Sequence, residues 1–188
     1  MYFKDYEKSR DSAWKILIDC HVGGLPVEVT DICHHLGICI RALDVDDLRD
    51  GVSTIIDGAP YIGINRCRPV ERIRFTIAHE VGHIILGHVG RYDHINREPS
   101  MTDNPIEHAA DVFASRLLAP SCVLWGCRVR CAEDIRILCG ISRAASVYRW
   151  ERMRVLYQRG KFFKSPLERQ VYSAFWDFIQ HHRFPDGK

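Results

Sequence analysis

The sequence predicts an α+β protein, a small antiparallel sheet beside a mostly helical body. Two patterns carry this. Between residues 38 and 65 three short runs rich in Ile and Val, ICIRAL, VSTIID and PYIGIN, follow one another, as strands do. On either side, apolar residues recur every three or four positions, the spacing of amphipathic helices. The length of 188 residues is enough for one domain with a real core, or for a domain plus a small helical appendage.

Each element has its own local reason. Residues 8–20 read as a helix, with Trp14, Leu17 and Ile18 on one side and Gly23-Gly24 as its break. LPVEVTDICHHLG reads as a short helix closed by Gly37. Asp57-Gly58, between the second and third strands, marks a tight hairpin turn. After Pro69 the period becomes helical, and VERIRFTIAHEVGHIILGH sets Ile73, Ile77, Ile84 and Ile85 near one stripe. A loop of charges and turn formers runs from Gly90 to Asp103. Asn104-Pro105 pairs a capping residue with proline at the first helical position. That helix runs through IEHAADVFASRLLA to Pro120. A segment near 129–139 ends at Gly140, and a longer helix runs from Ser142 towards Gly160. Ser165-Pro166-Leu167-Glu168 has the form of a capping box opening the last helix, through Phe178. The expected division is a core over 1–128 and a helical region over 129–188, packed on the same unit.

Composition excludes some partners. Net charge is +2, from 26 basic and 24 acidic residues, so neither a nucleic-acid sponge nor a polybasic membrane binder is expected. No stretch approaches the roughly 18–20 apolar residues that cross a bilayer. The opening MYFKDYEKSRDSAWK lacks the apolar run of a signal peptide. The expected location is the cytoplasm. Cys20, Cys33, Cys39, Cys67, Cys122, Cys127, Cys131 and Cys139 form no CxxC pair. Without a secretion signal they are expected to be reduced and mostly buried. Cys127, Cys131 and Cys139 do not have the spacing of a zinc module.

The chemistry centres on His79-Glu80-Val81-Gly82-His83. Residues four apart on a helix share a side, so both imidazoles can reach one zinc ion at about 2.0–2.1 Å. Glu80 is turned roughly 100° away. It can sit beside the metal without ligating it and accept a proton from water there. A catalytic zinc takes three protein ligands, so one is missing. A metzincin arrangement fails, because Val89 stands where its third histidine belongs and Leu86 where its glycine belongs. His88 is five residues past His83, about 140° away on a continuous helix. It reads as a helix-end histidine meeting the final carbonyls. The better third ligand is Glu107 on the next long helix, with Asp111 four residues on and facing the same way. Asp111 would take the free ring N–H of a ligand histidine. Zn2+ is the expected cofactor, although a His/His/Glu set also accommodates manganese or iron.

Several segments together resemble one family. Arg74-Phe75-Thr76-Ile77-Ala78-His79-Glu80-Val81-Gly82-His83-Ile84-Ile85-Leu86-Gly87-His88 resembles the signature of the ImmA/IrrE metallopeptidases. So does Glu107-x-x-Ala110-Asp111-x-Phe113-Ala114, ending in Leu117-Leu118-Ala119-Pro120. The upstream Ile62-x-Ile64-Asn65 and the downstream Ile141-Ser142-x-Ala144-Ala145 also match. The resemblance covers about residues 25–155. It implies a zincin-like body and a gluzincin-like site, with His79, His83 and Glu107 as ligands and Glu80 as base. It also implies a substrate: family members cleave, or trigger cleavage of, helix-turn-helix repressors encoded nearby, and so switch on genes of phages, mobile elements or stress responses. Larger relatives carry a sensory domain; residues 156–188 are too few for one.

A peptidase also needs a donor to steady the tetrahedral oxyanion. Arg74, His94, Arg143 and Tyr148 are candidates that the sequence does not separate. Two other readings compete with the enzyme. Residues 129–155 have a helix–Gly–helix layout carrying Arg143, Arg149, Arg152 and Arg154, which could be a helix-turn-helix reading DNA. The near-neutral charge argues against direct DNA binding. The same helices could instead dock a repressor, with Val171, Tyr172, Phe175, Trp176, Phe178 and Ile179 contributing, although such a stripe is more often core or a dimer seam. The other rival is an inactive peptidase fold that only sequesters its partner.

Overall fold

The computed structural model describes residues 3–43, 49–89, 104–160 and 162–185, with side chains from Tyr6 onwards. The expected loop over 90–103, and His94 within it, lies outside the described residues. The described parts of Met1–Ser12 and Val29–Ala114 form one compact unit, and those of Ala13–Glu28 and Ser115–Lys188 form another.

The first unit holds the start of α1 (Phe3–Asp19), then α2 (Val29–His35), β1 (Cys39–Ala42), β2 (Gly51–Ile56), β3 (Ala59–Ile64), α3 (Val70–Ile85) and the opening of α4 (Pro105–Leu118). Gly37, with φ +67, turns the chain out of α2. Asp57 and Gly58 both have positive φ, 51° and 79°, as a two-residue hairpin of the primed type requires. They join β2 to β3 in antiparallel register, with Ser53 opposite Ile62 and Gly51 opposite Ile64.

The sheet corrects one expectation. Its order is β1-β3-β2, and β1 runs parallel to β3, pairing Cys39 with Tyr61 and Ala42 with Ile64. It is therefore mixed, not wholly antiparallel. The hairpin commits one side of β3 to β2, and β1 takes the other side. Strand-like runs announce themselves in sequence, but which edge a strand joins is decided by hydrogen bonds between residues far apart in the chain.

Small residues let the helices and sheet close on each other. A Cβ on Gly51 would come within 2.4 Å of Thr76 Cγ2, so β2 lies against α3 where only glycine fits. Asp50 pairs with Arg68 Nε at 2.7 Å and with the Arg72 guanidinium, joining the entry of β2 to the beginning of α3. Ile62, Ile77, Ala78, Val81, Ala110 and Phe113 are buried in this unit's core. Asn104 caps α4 as expected: its Oδ1 accepts from Ile106 N at 3.0 Å.

The second unit contains the end of α4, α5 (Ser121–Gly126), α6 (Ala132–Cys139), α7 (Arg143–Arg159), α8 (Pro166–Ala174) and α9 (Trp176–His181). The sequence reading has no counterpart to α5. Ser121, Cys122, Val123 and Leu124 are all buried, so this short helix shows no polar face and no helical period. The final helix, expected to run through Phe178, divides at Phe175 (φ −96, ψ 11). Ser165 Oγ accepts from Glu168 N, the first half of the expected capping box, while Glu168 Oε2 accepts from Lys164 N, one residue ahead of the cap.

Burial decides between readings in this unit. Val171, Phe175 and Ile179 are fully buried, so most of the C-terminal apolar stripe is core, with Trp176 half exposed. Gly140, with φ 56, separates α6 from α7. Arg143, Arg152 and Arg154 are exposed on α7. Arg149 is not: it is 1 % exposed and its Nε donates to Ala119 O at 2.8 Å. The expected face of four arginines loses one member, because that guanidinium satisfies a buried carbonyl. All eight cysteines are free thiols, with Cys33, Cys122, Cys127 and Cys139 buried.

Candidate metal centre

α3 carries both histidines one turn apart, and their Nε2 atoms meet at 3.0 Å. Glu107, in the first turn of α4, reaches them both: Oε2 lies 3.1 Å from His79 Nε2, and Oε1 lies 3.4 Å from His83 Nε2. Ligands at 2.0–2.1 Å around a tetrahedral ion stand about 3.3 Å apart. Among the described residues this is the group whose donor atoms converge within 4.8 Å of one another. Gly82 makes the approach of α4 possible. A Cβ there would meet Phe113 Cδ1 at 3.0 Å and its Cβ at 3.2 Å.

The donor set fits a divalent cation. His83 is 3 % exposed, and Glu107 Oε1 is buried without a hydrogen bond. Two ring nitrogens and a carboxylate oxygen turned towards one point leave lone pairs that repel unless a proton or a cation lies between them. With only protons in the cluster, the groups titrate abnormally. Burial opposes protonation of His79, but hydrogen bonds to Asp111 and Glu107 outweigh it and raise its pKa to about 9. The His79 hydrogen bond first, and then the nearby His83 ring, hold Glu107 well below the usual carboxylate range. His/His/Glu is a set that binds zinc.

The outer ring nitrogens of both histidines are also engaged. His79 Nδ1 lies 2.9 Å from Asp111 Oδ1. His83 Nδ1 lies 3.1 Å from His88 Nδ1, which overturns the expected role of His88. α3 does not continue to position 88. It stops at Ile85, and Gly87 turns left-handed with φ +74. His88 N then bonds His83 O at 2.9 Å, and Gly87 N bonds Ile84 O at 3.1 Å, the two bonds of a Schellman ending. The reversal folds His88 back over His83. The helix-end carbonyl is taken by its backbone N–H, not by its ring. Burial first, then His83, lowers the His88 pKa to about 4. The readable signal was Gly87, whose position marks a helix stop.

Glu80 is 2 % exposed and lies beside the cluster. Ser53 Oγ on β2 donates to Glu80 Oε2 at 2.6 Å. Nothing in the sequence points to Ser53; it arrives through the register of β2 and the contact of that strand with α3. Of the four oxyanion candidates, Arg74 is half-buried on α3, while Arg143 and Tyr148 lie exposed on α7 in the second unit. These placements assign no oxyanion donor.

A histidine pair and a glutamate gathered from two helices beside a small sheet form a cluster compatible with a metal site. The peptidase family model described as the IrrE N-terminal-like domain matches residues 33–151. That is more than half of the chain, and the chain belongs to this ImmA/IrrE family of metallopeptidases. No curated protein matches it. Among the described residues, no helix is long and apolar enough to cross a membrane.

Proposed function

We propose that this chain is a zinc-dependent endopeptidase that cleaves a helix-turn-helix transcriptional repressor in the cytoplasm, releasing genes of a phage, mobile element or stress response. The carrying observation is the meeting of Glu107 with both Nε2 atoms of the His79–His83 pair, within a chain of this peptidase family.

In this reading His79, His83 and Glu107 hold the ion, and Asp111 fixes the tautomer of His79. When bound, zinc lowers the pKa of water and polarises the scissile carbonyl. Glu80 is the base. Its Oε2 accepts from Ser53, which holds the carboxylate in place to take the proton of the attacking water. The carboxyl then passes that proton to the departing amine. Burial of Glu80 excludes bulk water from competing for it.

The test compares wild type with Glu80→Gln, each loaded with zinc and mixed with the repressor encoded beside it. The expected result is cleavage by wild type, none by the variant, and about one zinc in each. Cleavage by the variant would remove Glu80 from its role. Zinc-loaded wild type that binds the repressor but leaves it whole would favour the sequestering fold.

A further inference from the structure

We propose that His88 is a positioning residue for the metal site: a neutral imidazole that accepts the Nδ1–H of His83 and fixes that ligand's tautomer. The inference rests on the metal reading above and extends it to a residue outside the ligand set.

Counting protons on the two rings fixes their tautomers. A neutral imidazole carries one N–H and one bare nitrogen. His83 Nε2 faces His79 and Glu107, so as a ligand it must be the bare nitrogen. The single proton is then on Nδ1. That nitrogen stands 3.1 Å from His88 Nδ1, and two N–H groups cannot face each other at this distance. His88 Nδ1 must accept, which puts its own proton on Nε2. His88 is not a fourth ligand, because it meets His83 on the edge of the ring away from Nε2.

The pair of ligands is thus held by unlike partners. Asp111 serves His79 through a carboxylate, and His88 serves His83 through a neutral ring. A carboxylate adds negative charge beside the ion, whereas the neutral ring orients without adding any. The Schellman ending sets this geometry. Backbone and ring of His88 both address His83, so the placement is a product of the helix stop at Gly87.

Zinc affinity tests the proposal without a substrate. Wild type, Asp111→Ala, His88→Ala and His88→Asn would be titrated against a chromophoric chelator. Loss of an outer partner weakens a metal site by roughly 10–100-fold. That loss is expected in His88→Ala and Asp111→Ala. His88→Asn, whose amide oxygen can accept where Nδ1 stood, should stay within a few-fold of wild type. Nitrogen-15 NMR of zinc-loaded wild type should show His83 protonated on Nδ1 and His88 on Nε2. This readout decides the matter even if His88→Ala does not fold. A folded His88→Ala that binds zinc like wild type, or a His88 ring protonated on Nδ1, overturns the proposal and leaves the metal site standing. Wild type that takes up no zinc overturns the metal reading itself.

Discussion

Phe113 lies against Gly82 so closely that a Cβ on the glycine would stand 3.0 Å from its ring. α4 approaches α3 at this point, and α4 also carries Glu107 and Asp111. Gly82→Ala should therefore push the helices apart by a few tenths of an ångström. Overpacking costs about 1–3 kcal/mol, against about 1 kcal/mol gained from helix propensity. Stability should change little or fall slightly. Zinc affinity should fall clearly, since Glu107, the proposed third ligand, moves with α4. Chelator competition beside a thermal melt would measure both, and unchanged affinity would show that α4 is positioned by other contacts.

Ser53 fixes one oxygen of Glu80. A hydrogen bond to a charged group contributes about 1.5–3 kcal/mol. Ser53→Ala should lower kcat for cleavage of the proposed substrate by about tenfold or more, with KM and zinc content little changed. Ser53→Thr keeps the hydroxyl and should recover most of the rate. A variant that alters KM instead would assign Ser53 to substrate binding.

Arg149 and Arg152 lie three residues apart on α7 and should behave differently. Arg149 is buried and donates to Ala119 O, while Arg152 is exposed. Arg149→Ala leaves a cavity and an unpaired buried carbonyl, and should cost about 3–5 kcal/mol in urea unfolding. Arg152→Ala should stay within about 0.5 kcal/mol. Similar losses from both would mean that the arginines act as one surface.

The metal-free site should resist zinc through protons. His79 has a pKa raised to about 9, above the usual value near 6.5 for an unfolded histidine. Its protonated form stabilises the metal-free fold fully below about pH 6.5, and this contribution fades as pH rises through about 9. Zinc must displace that proton. Apparent zinc affinity should therefore climb as pH rises towards about 9 and level off above it. Chelator competition across that range checks it, and a flat profile would show that His79 is neutral before metal arrives.

What could be read before the structure was local. Asn104-Pro105 and Ser165-Pro166-Leu167-Glu168 act through hydrogen bonds within one turn. Asp57-Gly58 needs only its own dihedrals. The α5 helix escaped because all of it but Trp125 is buried and it carries no alternation. The fate of Arg149 escaped because a guanidinium looks alike in sequence whether it faces water or a carbonyl 30 residues away.

The sequence by itself determined the chemistry on offer. A helix with histidines four apart, a glutamate between them, and a Glu-x-x-Ala-Asp helix downstream are set by periodicity, which every local stretch carries. Tertiary structure alone decided which groups surround that chemistry. Ser53 reaches Glu80 through strand register, β1 joins β3 in parallel, and Gly82 admits Phe113 and so brings Glu107 to both histidines. His88 turns back onto His83 because α3 stops at Gly87. Apart from that short reversal, these are contacts between segments far apart in sequence, and their partners are chosen by packing the whole unit, which no single window of residues encodes.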